Sequence, residues 1–327
     1  MKKFFSLLLV LPVLCLLSCK RIPLYDPSSD VYLKLDISLE TDVQWNKDLD
    51  LDGHPELAAK VYPELPEMVH VCFYDTESHK LAAQDYLPSE GGFIDIAPGV
   101  YDMIVYSMGT AVTQVDGTAS RGSSRAFTST PGQLFKLSKA GGAQSGEFPV
   151  IYEPDHVFVG RKEGVVIPVH EEMDHTVVIE CGMSTLLETY SFEILDVVGA
   201  ENIQSAAVYI TGQAPSKYLW DCRYTLKPSA IYFPTVVDMQ GGHIYSIFNT
   251  FGKIPGVESD AILNLNVTTV SGAKYQWIFD VTDQFDNPDN TRHEIIIDET
   301  VDVPSGGSGG FTADVHEWET EVIPISI

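Results

Sequence analysis

The sequence is poor in cysteine, and this shortage excludes several classes of protein. Only 5 cysteines occur in 327 residues, and two of them, Cys15 and Cys19, belong to the N-terminal apolar region. The other three are Cys72, Cys181 and Cys222. Their number and spacing fit neither a disulfide framework nor a zinc site. We therefore expect all three to be structural, because a buried free thiol behaves as a small hydrophobic group.

Basic residues are also scarce. Lysine and arginine number 20 against 46 aspartates and glutamates, which gives a formal net charge of -26. The acidic residues are spread along the chain without a dominant block. An evenly anionic surface repels nucleic acids and anionic lipids. The composition therefore excludes nucleic acid as a partner, and it excludes a basic patch as the means of holding a membrane.

One long hydrophobic run is present, from Phe4 to Leu17, and it follows two lysines. It is too short to be a comfortable membrane span. A small residue, Ser18, and then Cys19 end it, which is the layout of a bacterial lipoprotein signal. We expect residues 1–18 to be cleaved and Cys19 to carry acyl chains such as palmitate, since stable anchoring takes more than one chain. An ordinary secretory signal with an incidental cysteine is the alternative.

Helical periodicity is nearly absent, and period-two alternation takes its place. Val31 to Glu40 alternates apolar and polar residues throughout, as a half-buried strand does. Short strand-like runs separated by Gly, Pro, Asn and Asp recur to the end of the chain. Pro55 to Lys60 and Met183 to Thr189 are the candidate helical turns. This pattern predicts an all-β protein built from two sandwiches.

The predicted organisation has four parts. Residues 1–18 are the signal peptide and residues 19–30 a lipidated tether. Residues 31–163 and 164–327 are the N-terminal and C-terminal sandwiches. The boundary is placed in the sequence Gly-Arg-Lys-Glu-Gly that ends at Gly164.

Two local patterns add detail to this organisation. The strands Phe93 to Ile96 and Val100 to Tyr106, separated by Pro-Gly, predict a hairpin. Asp116 to Gly132 is rich in Ser, Thr and Gly and predicts a long exposed loop.

An acidic stretch offers the sharpest candidate for a metal site. Asp48, Asp50 and Asp52 alternate and Gly53 follows, as at the start of an EF-hand loop that binds Ca²⁺. The twelfth position, which should hold a bidentate acid, is Ala59. The alternative is an acidic turn with an Asp-Gly tip and no cofactor.

Other candidate chemistries are weaker. His170 and His175 are five residues apart and do not share a helix face, so they do not form a zinc-protease motif. The glycine and serine run 306–310 has the letters of a nucleophile elbow but no following helix. Aromatic side chains could stack on sugars, with Trp45 and Trp220 as the candidates for exposure, although strand aromatics more often fill cores. A hydrolase is the least favoured class.

Several segments together resemble the Bacteroidales fimbrillin-like lipoproteins, across nearly the whole mature chain. The segments in question are Cys19 to Asp26, Val69 to Tyr74, Ile96 to Tyr106 with its Pro-Gly-x-Tyr turn, Val208 to Gly212 and Phe279 to Asp286. The resemblance implies two tandem Greek-key, transthyretin-like β-sandwiches and a role in adhesive surface fibres. It also implies assembly by β-strand addition, in which a strand of one subunit completes the sheet of another.

The resemblance gives two expectations about the role of the chain. Shaft subunits of the family lose their first strand by proteolysis after a basic residue, for which Lys47 and Lys60 are the only candidates here. A retained first strand would make this chain an anchor or a terminal component. The segment Thr320 to Ile327 is the candidate edge or exchanged strand, and a plain last strand is its alternative. Its apolar side chains are Val322, Ile323, Ile325 and Ile327.

The sequence thus predicts a non-enzymatic fimbrial anchor or cell-adhesion subunit in the outer membrane. Its partners would be the membrane, through the lipid on Cys19, and other fimbrial subunits. The residues after Cys19 are basic rather than acidic, which leaves the cell surface and the periplasmic face both open. The alternative function is a surface lipoprotein that binds glycans for polysaccharide uptake, so a glycan or host surface stays a candidate partner.

Overall fold

The computed structural model describes residues 29–46, 49–130, 134–137, 146–169, 176–257 and 260–305 of the chain. Strands dominate and helices are few, which confirms the predicted all-β class. The strands, in chain order, are β1 (Ser29–Ile37), β2 (Met68–Asp75), β3 (Leu81–Pro88), β4 (Gly91–Ile96), β5 (Gly99–Ser107), β6 (Thr113–Asp116), β7 (Arg125–Thr128), β8 (Leu134–Leu137), β9 (Gly146–Tyr152), β10 (Phe158–Ile167), β11 (Val177–Thr185), β12 (Glu188–Ile194), β13 (Val197–Val198), β14 (Ile203–Gln213), β15 (Ser216–Tyr218), β16 (Ser229–Pro234), β17 (Val236–Asp238), β18 (His243–Thr250), β19 (Ile262–Thr269), β20 (Lys274–Asp280), β21 (Glu294–Ile297) and β22 (Val301–Asp302). The helices are α1 (Pro55–Val61) and α2 (Thr282–Asp286), with a 3-10 turn at Ala200–Asn202.

The first sandwich is formed by one seven-stranded sheet in the order β3-β2-β5-β10-β11-β1-β4. All seven strands contribute to a single apolar core, for example Val31 of β1, Val71 of β2 and Met103 of β5. β1 supplies such side chains at every second position, which is the alternation seen in its sequence. β2 and β5 are buried on both faces, because their other face packs in a second apolar cluster. The sheet therefore curls around its own core.

The second sandwich pairs two sheets. A six-stranded sheet in the order β20-β19-β14-β16-β9-β8 faces a four-stranded sheet in the order β17-β18-β12-β21. Their core includes Phe192 of the smaller sheet and Phe233 of the larger sheet, with ring centroids 5.9 Å apart in an edge-on contact. Edge-to-face rings are a favoured aromatic arrangement and lock the two sheets in place.

A small three-stranded sheet, β15-β7-β6, lies where the sandwiches meet. An apolar cluster joins its Ala126 to Ile104 of the first sandwich and to Phe251, which directly follows β18 of the second sandwich. All three side chains are fully buried. The two sandwiches therefore share a continuous apolar contact in addition to their covalent connections.

The predicted division into residues 31–163 and 164–327 does not follow the sheets. β9 lies before the boundary but pairs with β16 of the second sandwich, and β11 lies after it but pairs with β1 and β10 of the first. The boundary itself falls within β10. Gly160 is required there by packing, because a Cβ at this position would lie 2.7 Å from the Sγ of Cys181. The glycine marks a close approach of two strands and not a linker.

Two further sequence-based expectations are wrong in detail. β4 and β5 do not form a hairpin with each other, because β4 pairs with β1 and β5 pairs with β2 and β10. The Pro-Gly turn passes the chain from one end of the sheet to a strand deep within it. The predicted exposed loop from Asp116 to Gly132 contains β7, whose Ala126 is fully buried. Of the two predicted helical turns, the one at Pro55 is confirmed as α1, and the one at Met183 to Thr189 is wrong, because β11 runs to Thr185 and β12 begins at Glu188.

Candidate functional site

The first strand, β1, occupies an interior position in the first sandwich. It pairs in parallel with β11, from Val31 opposite Val177 to Ile37 opposite Met183. On its other side it pairs antiparallel with β4. Backbone pairing on both sides makes β1 an integral strand, although it directly follows the predicted tether.

The inward face of β1 adds apolar contacts to this pairing. Val31 and Leu33 are completely buried and Leu35 is 9% exposed. Full burial of such a side chain contributes about 1.5–3 kcal/mol. A first sandwich without β1 would therefore have an open apolar groove between β11 and β4.

The outward face of β1 is held more weakly. Tyr32 meets Phe93 of β4 edge-on, with ring centroids 5.1 Å apart. The Nζ of Lys34 lies 3.0 Å from the Oε1 of Glu180 on β11. Both charged side chains are largely exposed, and such pairs contribute little to stability.

The described residues of the segment 38–62 begin against the first sandwich, where Ser38 bonds the carbonyl of Met183, and then pack on the second. We call this segment the strap. Its helix α1 begins with Pro55 at its first turn, where the missing N–H is tolerated, and buries Leu57 and Val61. These side chains pack against Tyr245 and Ile247 of β18. The strap thus connects the strand nearest the predicted lipid to both sandwiches.

A buried ion pair fixes the end of the strap. The Nζ of Lys60 lies 2.8 Å from the Oε2 of Glu153 and donates to the carbonyl of Ile247 at 2.8 Å. The other carboxylate oxygen of Glu153 accepts from the backbone N–H of Asn249 at 2.8 Å. The imidazole Nε2 of His156 lies 2.9 Å from the Lys60 carbonyl oxygen. We call Lys60, Glu153 and His156 the strap lock.

Electrostatics within the strap lock follow from its burial. Burial raises the pKa of the Glu153 carboxyl, and the charge and hydrogen bond of Lys60 oppose that shift. Burial also lowers the pKa of the His156 imidazole, which favours its neutral form. The Lys60 side chain is only 16% exposed. A protease that cleaves after lysine has little access to it, because the side chain must enter the enzyme's pocket.

The acidic stretch of the strap is only partly within the described residues. Asp48 lies outside them. Asp50 accepts the backbone N–H of Gly53 at 3.0 Å, the contact expected of an acidic turn. Asp52 is exposed. No three His, Cys, Asp or Glu side chains of the described part of the chain converge to hold a metal ion, and calcium binding at this stretch stays a prediction.

Other predicted site residues lie outside the described ranges. These are Cys19, the histidines at 170 and 175, the glycine run 306–310 and the candidate strand residues Val322, Ile323, Ile325 and Ile327. Lipidation of Cys19 and strand addition by the last segment are therefore untested expectations.

The three remaining thiols are free. Cys72 and Cys181 are buried and Cys222 is partly exposed. Burial raises the pKa of the Cys72 thiol to about 11, so it stays protonated at neutral pH. Two of the thiols thus behave as the expected small apolar groups.

The tryptophans within the described residues do not form a sugar-stacking platform. Trp277 packs partly against the second core, and Trp45 packs partly against the cluster around α1. Trp220 lies beneath the guanidinium of Arg121, 4.2 Å from its carbon to the ring centroid. Each ring has a protein partner, as strand aromatics more often do.

Sequence reasoning missed the strap lock. The sequence indicates Lys60 only as a candidate cleavage site. Glu153 and His156 belong to no recognisable motif, and acids occur throughout the chain. The spacing of Leu57 and Val61 after Pro55 was the one available clue, since residues four apart share a helix face. Nothing local could indicate that this face would meet β18.

Comparison with known proteins places this fold in a family. A family model described as "Domain of unknown function (DUF5119)" matches residues 59–234, which is more than half of the chain. The chain belongs to this family. Among the described residues, no helix is long and apolar enough to cross a bilayer.

Individual relatives are fimbrial or adhesive by name. A curated protein of Bacteroides ovatus named "Putative fimbrium anchoring subunit Fim4B" is 24% identical over 296 residues, covering 90% of this chain and 78% of its own length. A crystal structure titled as a "putative adhesin" from Bacteroides ovatus has a TM-score of 0.61 at 20% identity, covering 89% of this chain and 99% of that chain. The second likeness shows the shared fold. The comparisons confirm the resemblance to fimbrial proteins that the sequence motifs indicated.

Proposed function

We propose that this chain is a lipid-anchored outer-membrane subunit that fixes a fimbrium or an adhesive fibre to the cell. The observation that carries the proposal is the interior position of β1, which is paired on both sides and buries three apolar side chains. Acyl chains on Cys19 would anchor the chain in the membrane, and β1 would transmit tensile force from this anchor to the first sandwich. The role is structural and not enzymatic.

The strap lock supports an anchor over a shaft subunit. A shaft subunit of the resembling family loses its first strand after cleavage at a basic residue. Of the two candidate lysines, Lys60 is buried in an ion pair, and Lys47 lies outside the described residues. The name of the Bacteroides ovatus relative, a fimbrium anchoring subunit, is consistent with this choice.

The attachment to the next subunit would use β-strand addition. The candidate donor is the segment with Val322, Ile323, Ile325 and Ile327, of which the three isoleucines alternate. In an extended segment, alternate side chains fill pockets while the backbone pairs with a sheet edge. This step, the cell-surface location and any host or glycan partner belong to the proposal.

Recovery of the native protein from its own membrane tests the proposal. The wild-type protein should remain in the membrane fraction and incorporate labelled palmitate, and fimbrial subunits should co-purify with it. Cys19→Ser should release it, whereas the matched thiol variant Cys222→Ser should not. Co-purification of polysaccharide-uptake proteins without fimbrial subunits would favour the glycan-binding alternative.

A further inference from the structure

The arginines of this acidic chain are concentrated in one place. The sequence has six arginines, and Arg121, Arg125, Arg161 and Arg223 all lie on or beside the small sheet β15-β7-β6. The chain as a whole carries a net charge of -26. Three of these arginines are paired with carboxylates, Arg121 with Asp102, Arg125 with Asp116 and Arg223 with Asp221. Their charges are largely neutralised, so what the group concentrates is guanidinium N–H donors.

The outer face of the small sheet presents part of this group. Arg125 of β7 lies between Asp116 of β6 and Tyr218 of β15 in the strand register. The opposite face carries the fully buried Ala126 and packs on the junction between the sandwiches. Because side chains alternate along a strand, Arg125 and Phe127 share the outward face.

Aromatic rings hold these guanidinium groups. Arg223 lies 4.4 Å from the centroid of the Tyr218 ring, and Arg121 lies 4.2 Å from that of Trp220. Arg125 lies 5.7 Å from the Phe127 centroid. We call these six residues the arginine surface. Stacking fixes each guanidinium plane, which reduces the entropy lost when its N–H donors bind a carboxylate.

The guanidinium groups retain donors for a further acid. Arg125 uses its Nε and Nη2 on the two oxygens of Asp116, at 2.9 and 3.0 Å. Arg223 bonds Asp221 through Nε and the carbonyl of Gly122 through Nη2. A guanidinium has five donors, so the Nη1 protons of both groups lie outside these bonds. The two side chains are 37% and 58% exposed.

The composition of the arginine surface favours a polypeptide ligand. Arginine, tyrosine and tryptophan are the residue types that dominate binding energy in protein interfaces. The ring faces are already covered by cations, which makes them poor platforms for a sugar. The expected ligand is therefore an extended peptide with carboxylates.

The chain contains such a peptide. Asp314, Glu317, Glu319 and Glu321 lie in the segment 311–322, which has no lysine or arginine and is preceded by the glycine and serine run 306–310. The last three acids alternate, so in an extended conformation they would share one face. We propose that this acidic segment docks intramolecularly on the arginine surface. The proposal does not depend on the anchoring function.

The chain is long enough for this contact. The small sheet adjoins the start of β12, where Lys217 lies 3.7 Å from Glu188, and β22 pairs with β13 at Val197. The nine Cα–Cα steps from residue 188 to residue 197 span at most about 30 Å, whereas the twelve steps from Ser305 to Glu317 reach about 40 Å when extended. A tethered ligand within reach acts at a high effective concentration, so weak contacts suffice.

Hydrogen–deuterium exchange of residues 311–321 in the full chain tests the docking at low salt. Exchange should be about fivefold slower in the wild type than in Arg125→Glu/Arg223→Glu, the size expected for two exposed ion pairs. Salt at about 0.5 M should remove the difference by screening. Arg292→Glu, the same change at an arginine outside the surface, should leave the exchange unchanged. Glu317→Gln/Glu319→Gln should give the fast exchange without altering either sandwich.

Four results would overturn the proposal. The first is equally fast exchange in the wild type and the arginine variant. The second is slow exchange that persists in Glu317→Gln/Glu319→Gln. The third is protection that rises with protein concentration, which would assign the ligand to a second copy. Specific binding of added polygalacturonate to the arginine surface, with residues 311–321 unprotected, would assign the surface to an acidic glycan instead.

Discussion

The first strand of the first sandwich and a late strand of the second occupy opposite kinds of position in their sheets. In the first sandwich the N-terminal strand β1 is inserted between β11 and β4 and is buried on its inward face. In the second sandwich the late strand β21 lies at the edge of its sheet, and among the described strands it pairs with β12 alone. An inserted strand can transmit force into a core, whereas an edge strand leaves backbone groups available for pairing. In β21 these backbone groups are met by side chains, because the amides of Gln284 and Asn290 bond the N–H and carbonyl groups of Ile296 and Glu294. The first sandwich thus secures its strand by strand pairing on both sides, and the second covers its edge with side-chain amides.

The largest expected effect concerns the inserted strand. Leu33→Ala in β1 removes a completely buried side chain and should lower the free energy of unfolding by about 4 kcal/mol through lost burial and a cavity. Chemical denaturation measures this change. Ile296→Ala in β21, where the side chain is 39% exposed, should lower it by less than about 1 kcal/mol. Equal losses at the two positions would remove the contrast between the sandwiches.

The strap lock gives the next largest effect. Lys60→Met leaves the Glu153 carboxylate buried without its cation and should lower the free energy of unfolding by about 3 kcal/mol. The exposed pair provides the control, because Lys34→Met breaks a contact with Glu180 that solvent screens and should leave the free energy of unfolding nearly unchanged.

Limited proteolysis extends this comparison to the strap itself. In the folded wild type a lysine-specific protease should cleave after Lys60 slowly, since the side chain is 16% exposed. Glu153→Gln should speed that cleavage, as the lock is weakened. Rapid cleavage of the wild type after Lys60 would contradict the protected state inferred for the strap.

The close approach of β10 and β11 gives a smaller effect. Gly160→Ala places a Cβ 2.7 Å from the Sγ of Cys181 and 2.8 Å from the carbonyl oxygen of Gly182. The strands must move apart, which should lower the melting temperature and the free energy of unfolding by about 2 kcal/mol. Gly182→Ala, where a Cβ meets nothing within 4 Å, is the matched control and should change stability little. An unchanged stability of Gly160→Ala would instead support the assignment of Gly160 to a linker.

The smallest expected effect is a pH dependence shared by the two sandwiches. Burial lowers the pKa of His156 at the strap lock and of His70 in β2 from the ordinary value of 6.5. The unfolded chain binds protons at these groups before the folded chain does, so stability is full above pH 6.5 and falls as the pH drops below it. We expect the free energy of unfolding to fall between pH 7.5 and pH 5.5 as the unfolded chain takes up protons at these histidines. His156→Gln should reduce the slope of unfolding free energy against pH, measured by denaturation at each pH. An unchanged slope would exclude a contribution of His156 to the pH dependence.

Much of the fold was predictable from local pattern. Period-two alternation identified β1, and the run after Pro55 identified α1. Pairing between distant residues was not predictable, because alternation specifies which face is buried and not which strand is the neighbour. β1 pairs with β11, whose residues lie 146 positions later, and β9 joins the second sandwich from the first half of the chain.

Only the candidate site residues that belong to a recognisable motif were predictable from the sequence. The cysteine at 19 and the alternating acids at 48 to 52 carry recognisable motifs. The strap lock and the arginine surface consist of common residue types that become unusual only when folding brings them together. The linker assignment of Gly160 is wrong for a related reason, because the sequence does not distinguish a glycine required by close packing from a glycine in a linker.

The retention of β1 in the working protein is the claim on which the account depends. Intact mass spectrometry of the protein extracted from its native membrane measures it directly. The account predicts one species that begins at acylated Cys19 and contains residues 29–37 and Lys60 in an unbroken chain. A species that begins after Lys47 or Lys60, and so lacks β1, would contradict it.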